Sequence, residues 1–239
     1  MNIKKMNEGL AFLTEKYSVP VGKIFMGADD VVKVQDGAGQ ETILLPWRVE
    51  RRFVELKKMV TGKILEGVST LRFCSITPGG NLRKQLEREF DLAVWLMDVP
   101  LKTLFAVCSK DLSAANIVAK LQNDYNFSLE CSNKLPQGSE VIDRHEIIAR
   151  RGVASDRVVD SQVPQSSIYM YNDKGEQRYT DVDSELFGLS TDEIWLVRAA
   201  FAVLDKPALS KIWNAAAAQM SVYAKAVFES DQTMLPQSF

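Results

Sequence analysis

The stretch Ser69–Pro100, STLRFCSITPGGNLRKQLEREFDLAVWLMDVP, decides the fold, because a strand-like run, a glycine turn and an apolar helix follow one another in it. Two readings of its second half compete. Apolar residues at three- and four-residue steps predict a single helix capped by Asn81. The alternation of residues 82–86 instead predicts that the strand continues and that the helix begins near Asp91. Periodicity alone leaves both readings open.

The segments before this stretch predict a helix, a hairpin and a second helix. Asn7–Tyr17 is amphipathic and ends before Pro20, since the residue before a proline is pushed out of helical geometry. The run VVKVQDGAGQETILL, residues 31–45, places two β-rich segments around a turn with two glycines, which is typical of a hairpin. After Pro46, apolar residues recur at helical spacing, and we expect a helix whose charged face points to solvent.

The second half of the chain predicts mainly helices. We expect a helix at 112–124, a strand at 127–131, a linker at 134–138 and a further helix at 139–151, ended by Gly152. A hairpin follows, with SSIYMY and QRYTDV as its arms.

The C-terminus predicts two helices separated by a proline break. Ser190 and Glu193 form a capping box, in which each side chain satisfies the other residue's backbone amide. The segment 205–207 ends that helix and begins the next one. We expect the two helices to form a hairpin, which either packs on its own domain or serves oligomerisation. The candidate oligomerisation residues are Trp195, Trp213, Ala216, Met220 and Tyr223.

These elements predict an α+β fold. We expect an N-terminal hairpin-and-helix domain at 1–135 and a smaller α/β region at 139–239, which ends in the helical hairpin and mediates assembly or partner binding.

Composition favours a soluble cytoplasmic protein. Of the 239 residues, 46% are hydrophobic, but no run approaches the roughly 20 apolar residues of a membrane-spanning helix. The N-terminus lacks a secretory signal. The cysteines Cys74, Cys108 and Cys131 are odd in number and have no metal-binding spacing, which favours reduced core thiols.

A cluster of basic residues lies between Pro46 and Lys63 although the net charge of the chain is only -2. A solvated helix face explains such a cluster, and contact with phosphate or an acidic partner is the functional alternative. The candidate contact residues are Arg48, Arg51, Arg52, Lys57 and Lys58.

The sequence shows no catalytic motif, so we expect a binding protein and not an enzyme. Its single histidine, His145, lies in DRHEIIARR, which excludes the HExxH pattern of zinc proteases, and we expect it to be structural. Neither GAGQE nor PGGNL has the glycine spacing of a nucleotide-binding loop. We therefore expect no metal and no cofactor.

The turn Thr77–Gly80 and the segment Leu92–Leu96 with Trp95 resemble the amino-terminal domain of phage antirepressors and of the related Bro-type viral regulators. The hairpin at 31–45 and the helix at 48–60 fit the same order, so the resemblance covers about residues 30–105. It implies a transcription regulator that captures a phage repressor and removes it from operator DNA. It requires the strand reading of residues 82–86 and fails if residues 82–98 form one helix.

We therefore expect a regulatory binding protein of the antirepressor type, with a protein partner and self-association. The alternative is a replication or transcription factor of a phage or plasmid that binds DNA phosphates through its basic helix.

Overall fold

A computed structural model of the chain describes residues 1–156, 167–172, 175–180 and 186–239. These residues form two compact units, one of Met1–Glu50 with Val158–Asn214 and the other of Arg51–Arg157 with Ala215–Phe239. Each unit is therefore built from two segments that are distant in the chain.

The first unit combines two helices with a three-stranded antiparallel sheet and a two-stranded hairpin. Its helices are α1 (Ile3–Tyr17) and α4 (Thr191–Asp205), and its strands are β1 (Gly22–Met26), β2 (Val32–Asp36), β3 (Glu41–Ile43), β10 (Ser167–Asn172) and β11 (Gly175–Thr180). Short 3-10 turns lie at Ala28–Asp30 and Pro46–Arg48.

Local signals in the first unit agree with the sequence. Asn2 caps α1, and both hairpins form where they were expected. In the β2–β3 turn, the Asp36 Oδ1 accepts hydrogen bonds from the backbone N–H groups of Ala38 and Gln40. The predicted capping box of Ser190 is present at the start of α4. The predicted hairpins and the predicted capping box are confirmed because each depends on residues close together in the chain.

Two asparagine side chains cover the edges of the three-stranded sheet. At the β1 edge, Asn7 donates to the carbonyl of Ile24 and accepts from its N–H, at 2.8 and 2.7 Å. At the β3 edge, Asn214 donates to the carbonyl of Glu41 and accepts from the N–H of Ile43, both at 2.9 Å. Each amide therefore takes the place of a neighbouring strand.

The second unit packs helices on one face of a seven-stranded sheet. Its helices are α2 (Arg51–Thr61), α3 (Leu82–Met97) and most of α5 (Ala208–Thr233). Its strands are β4 (Val68–Ile76), β5 (Leu101–Cys108), β6 (Ala114–Leu121), β7 (Asn126–Ser132), β8 (Ile142–Ala149), β9 (Gly152–Ser155) and β12 (Gln237–Ser238). The strand order is β12-β5-β6-β7-β4-β8-β9, and only the β4–β7 pair is parallel.

Residues 82–97 form one helix, capped by Asn81, whose Oδ1 accepts from the N–H groups of Arg83 and Lys84. The helix carries Leu86 and Phe90 into the core, and Phe90 packs edge-to-face on Phe127. The strand reading is therefore wrong, and with it falls the pattern that supported the antirepressor resemblance.

Two predicted helices are strands. Residues 112–124 contain β6 and residues 139–151 contain β8. In β6, Ile117 and Ala119 face the core while Asn116 and Val118 face outward, so the apolar period is two. The helix prediction counted the same apolar residues at wider spacing, and the pairing of β6 with β5 and β7 fixes the strand.

The fold is α+β, as expected in general terms. None of the described helices is long and apolar enough to cross a membrane.

Candidate functional site

A cluster of buried charged side chains lies in the second unit and joins α2, α3, β8 and the residue that follows β9. It contains three carboxylates, two guanidinium groups and one imidazole. We call it the charged cluster, and its members are Arg52, Arg88, Glu89, Asp143, His145 and Asp156.

His145 lies at the centre of the charged cluster with its side chain fully buried. Its Nδ1 lies 2.6 Å from the Oδ2 of Asp156, and its Nε2 lies 2.8 Å from the Oε2 of Glu89. The rings of Phe53 and Phe73 meet the imidazole edge-to-face, at 4.8 and 4.7 Å between centroids. The histidine is therefore held between two carboxylates and two aromatic rings.

These carboxylates keep His145 protonated. Burial lowers the pKa of the imidazole, but the Glu89 charge and the hydrogen bonds to Asp156 and Glu89 outweigh burial and raise its pKa to about 9. At neutral pH both ring nitrogens therefore donate hydrogen bonds.

The two arginines satisfy the remaining carboxylate oxygens. Arg88 binds Asp143 through two parallel hydrogen bonds of 2.9 and 2.8 Å and also donates to Glu89 at 2.6 Å. Arg52 donates to both Asp143 and Asp156. Burial raises the pKa of Asp143, but Arg88, His145 and Arg52 together hold it well below its ordinary value. Three cations then balance three anions.

The charged cluster includes the one group of possible metal ligands found among the described residues. Ligand atoms of Glu89, Asp143 and His145 lie within 4.8 Å of one another. However, the Nε2 of His145 carries a proton, and both oxygens of Asp143 accept from guanidinium groups. A metal ion would have to displace these partners, so the arrangement favours an ionic network.

The accessible edge of the charged cluster is formed by its arginines and Asp143. The Arg52 and Arg88 side chains are 25% and 21% exposed and that of Asp143 is 15% exposed, whereas Glu89, His145 and Asp156 are fully buried. Only Arg52, Arg88 and Asp143 can therefore contact a molecule from solvent without a rearrangement of the cluster.

The five basic residues predicted to meet a partner lie in different local environments. Arg52 points into the charged cluster, and the Lys57 Nζ donates to the carbonyl of Trp95 at the end of α3, at 2.6 Å. Lys58 pairs with Glu55 within α2. Arg51 is exposed and Arg48 is half-buried. Two of the five residues, Arg52 and Lys57, therefore make contacts within the second unit.

Three of the predicted oligomerisation residues are covered by the chain itself. Trp213, Met220 and Tyr223 are at most 3% exposed, and Tyr223 packs edge-to-face on Phe90 and Phe239. Trp195 and Ala216 are half-buried.

Sequence reasoning missed four members of the charged cluster, namely Arg88, Glu89, Asp143 and Asp156. One signal was present, because Glu89 falls on the apolar face of the α3 pattern, three residues after Leu86. A charge at such a position needs a partner.

No protein-family model and no curated protein sequence matches the chain. The solved structures that are similar to the chain include several dehydrogenases.

Three of these structures illustrate the likeness. A probable dehydrogenase from Thermotoga maritima has a TM-score of 0.59 at 14% identity, over 81% of this chain and 63% of that one. A myo-inositol dehydrogenase from Corynebacterium glutamicum has a TM-score of 0.57 at 14% identity, over 82% and 63%. The scyllo-inositol dehydrogenase from Lactobacillus casei, solved with NAD(H) and scyllo-inositol, has a TM-score of 0.55 at 17% identity, over 81% and 63%.

The chain therefore shares its fold with dehydrogenases and spans less than two thirds of their length. This finding corrects three expectations: the resemblance to phage antirepressors, the assignment to transcription regulation, and the conclusion that the chain is not an enzyme.

Proposed function

We propose that this chain is part of an oxidoreductase and that it binds a polyhydroxy alcohol of the inositol type. The observation that carries the proposal is the fold likeness, which extends over about four fifths of the chain and includes two inositol dehydrogenases. A shared fold supports an activity only together with a suitable site.

The accessible edge of the charged cluster is the site we assign to the alcohol. A guanidinium fork donates several hydrogen bonds in fixed directions, and a carboxylate accepts from hydroxyl groups, so Arg88, Arg52 and Asp143 together suit neighbouring hydroxyls. Because the three side chains already brace one another, they are held in place before a ligand arrives.

His145 has a positioning role in this proposal. Oxidation of an alcohol needs a group that takes up the hydroxyl proton, and a general base must be unprotonated to do so. With its pKa raised to about 9, the imidazole is already protonated at neutral pH. We therefore assign His145 to holding Glu89 and Asp156, and not to proton uptake.

Ligand binding tests the proposal. Calorimetric titration with scyllo-inositol and myo-inositol should show saturable binding, whereas cyclohexanol, which has one hydroxyl, should bind far more weakly. Arg88→Met should weaken binding at least tenfold. Arg83→Met is the matched control, because Arg83 lies on the same helix, is half exposed, and among the described residues donates to Glu87 and Ser221 and not to the charged cluster. Failure of every polyol to bind the folded protein would overturn the proposal.

Self-association, expected from the sequence, remains part of the proposal, and the outer face of the seven-stranded sheet is the surface we assign to a second copy. Outward residues of six strands form cross-strand rows, one of which consists of Phe105, Val118, Ser128, Arg72, Glu146 and Ser155. Val118 is 66% exposed and Val107, in the next row, is 48% exposed.

The area and charge of this face suit a second copy. Six strands at about 4.8 Å spacing give a face roughly 25 Å wide, with a flat area on the order of 500 Å². Side chains increase the accessible area of the face toward the ~800 Å² that each partner contributes to a standard interface. Arg72 pairs with Glu146 on the face itself, and Glu130 lies in the row of Arg144 because both are register partners of Cys74. Because positive and negative side chains are mixed on this face, two copies that meet through it do not repel each other as two surfaces of like charge would.

A further inference from the structure

A nicotinamide dinucleotide makes particular demands on the chain that binds it. In dinucleotide-binding folds, a glycine-rich turn leads from a parallel strand into a helix, and free backbone N–H groups at the helix N-terminus bind the pyrophosphate. An acidic residue about 20 positions further on binds the ribose.

The turn Thr77–Asn81 connects β4 to α3 and contains two adjacent glycines, and one of its backbone N–H groups is already bonded within the protein. The Gly79 N–H donates to the carbonyls of Thr77 and Asn133, at 3.0 and 2.9 Å. The Asn81 side chain accepts from the N–H groups of the second and third residues of α3, Arg83 and Lys84, and so caps the helix. A pyrophosphate would have to break these bonds.

The glycines of this turn are explained without a ligand. Gly79 and Gly80 have φ angles of +91° and +108°, which other residues rarely adopt. A Cβ on Gly80 would meet its nearest atom, the Thr77 Oγ1, at 3.9 Å, which is an ordinary contact. The positive φ angles alone therefore account for glycine at both positions.

The other closely spaced glycines lie in the wrong element. Gly37 and Gly39 belong to the hairpin turn between β2 and β3, where Asp36 already accepts two of the backbone N–H groups. This turn leads into a strand and offers no helix N-terminus. The segments 157–166, 173–174 and 181–185 contain no glycine.

The acidic residue at the position expected to bind the ribose of a dinucleotide is also unsuitably placed. Asp98 lies about 20 positions after the glycine turn, but it is the left-handed C-cap of α3 and not the end of a neighbouring strand. In addition, only the β4–β7 pair is parallel among the described strands, whereas a dinucleotide fold has a mostly parallel sheet.

Resting on the proposed function, we infer that residues 1–239 provide the alcohol side of the reaction and that the dinucleotide is bound by a polypeptide segment outside them. NAD(H) in the Lactobacillus casei structure occupies a chain of which this one covers 63%, so the remainder of that chain leaves room for a separate nucleotide-binding part.

Two titrations of the purified chain test this inference. NADH is added up to about 1 mM, the upper end of ordinary enzyme KM values, while its fluorescence is followed. Scyllo-inositol binding is measured in parallel by calorimetry, and an inositol dehydrogenase known to bind NADH serves as the positive control. We expect saturable polyol binding and no change in NADH fluorescence beyond that of a non-binding protein.

The outcomes separate the inference from the proposed function. Saturable NADH binding would overturn the inference, whether or not the polyol binds. Absence of both would overturn the proposed function and, with it, the alcohol half of the inference, whereas the conclusion that these residues do not bind the dinucleotide would stand. If NADH binds and Gly80→Val abolishes this binding while circular dichroism stays unchanged, the cofactor lies at the Thr77–Asn81 turn, against our inference.

Discussion

The Nδ1 of His145 lies 2.6 Å from the Oδ2 of Asp156, and the backbone N–H of His145 donates to the other oxygen of the same carboxylate at 2.8 Å. The Asp156 carboxylate thus binds both the ring and the backbone of His145, which lies eleven positions earlier in the chain. On its other side the ring is held by Glu89, so β8, α3 and the end of β9 meet at a single imidazolium.

Replacement of His145 should destabilise the fold strongly. In His145→Leu, the carboxylates of Glu89 and Asp156 remain buried and lose their shared partner, which typically costs about 3–5 kcal/mol. Urea denaturation measures the change in the free energy of unfolding. Arg144→Ala is the matched control, because Arg144 is the adjacent residue on the exposed face of β8 and should change this free energy by about 0.5 kcal/mol or less. Equal losses in both variants would contradict the assignment.

The stability of the protein should fall as the pH rises from 6.5 toward 9. The pKa of His145 is 6.5 for a free imidazole and about 9 in the folded chain, so its contribution is complete below pH 6.5 and is lost as the pH passes through 9. The difference corresponds to about 3 kcal/mol. Denaturation of the wild type and of His145→Gln across this range measures the effect.

His145 is the only histidine, so most of this pH dependence should be absent from His145→Gln. If the free energy of unfolding of His145→Gln fell equally steeply with pH, the pH dependence would belong to other titratable groups. Below pH 6.5 the contribution should stay constant until acid protonates Asp143, whose lowered pKa places that loss below its ordinary range.

Neighbouring arginines on α2 should differ in their effects. Arg52→Met removes the hydrogen bonds to Asp143 and Asp156 and the contact of the guanidinium with the Phe53 ring, at 4.3 Å from its centroid. Since Arg52 is 25% exposed, we expect a loss of about 1–3 kcal/mol in the free energy of unfolding. Arg51→Met, on an exposed side chain, should cost about 0.5 kcal/mol or less. The basic-surface interpretation predicts the same small change for both.

Substitution on the outer sheet face should change the association state. Val118→Lys adds a charge to each copy, and the two charges would be desolvated in a dimer, so light scattering should show a shift toward monomer. Val21→Lys, on a residue that is 72% exposed in the first unit, is the matched control and should leave the mass unchanged. A wild-type monomer at all concentrations would contradict the assigned surface.

The sequence predicts the parts of this fold that depend on neighbouring residues. Asn81 and Ser190 were recognised as helix caps, and the hairpins were found from their turns, because a cap or turn needs only a few residues. The strand β8 was missed because it is fixed by β4 about 70 residues earlier, whereas β6 pairs with its chain neighbours β5 and β7 and was missed because its apolar residues were counted at helical spacing. Local pattern and tertiary pairing compete in such segments.

The candidate site was beyond the sequence for the same reason. Arg52 and Asp156 are separated by 104 positions, and Arg88 and Asp143 by 55. The sequence alone showed one histidine and a basic helix, and the basic helix was interpreted as a surface that binds a partner. Only the fold reveals that Arg52 and Lys57 are used internally.

The asparagine pair at the edges of the three-stranded sheet bears on biosynthesis. During translation, β1 can meet Asn7 at once, because Asn7 precedes it in the chain. The β3 edge must wait for Asn214, which the ribosome adds 171 residues after Ile43. Until then its backbone groups are open to other strands, so the first unit completes its fold late and the nascent chain is vulnerable to aggregation at β3.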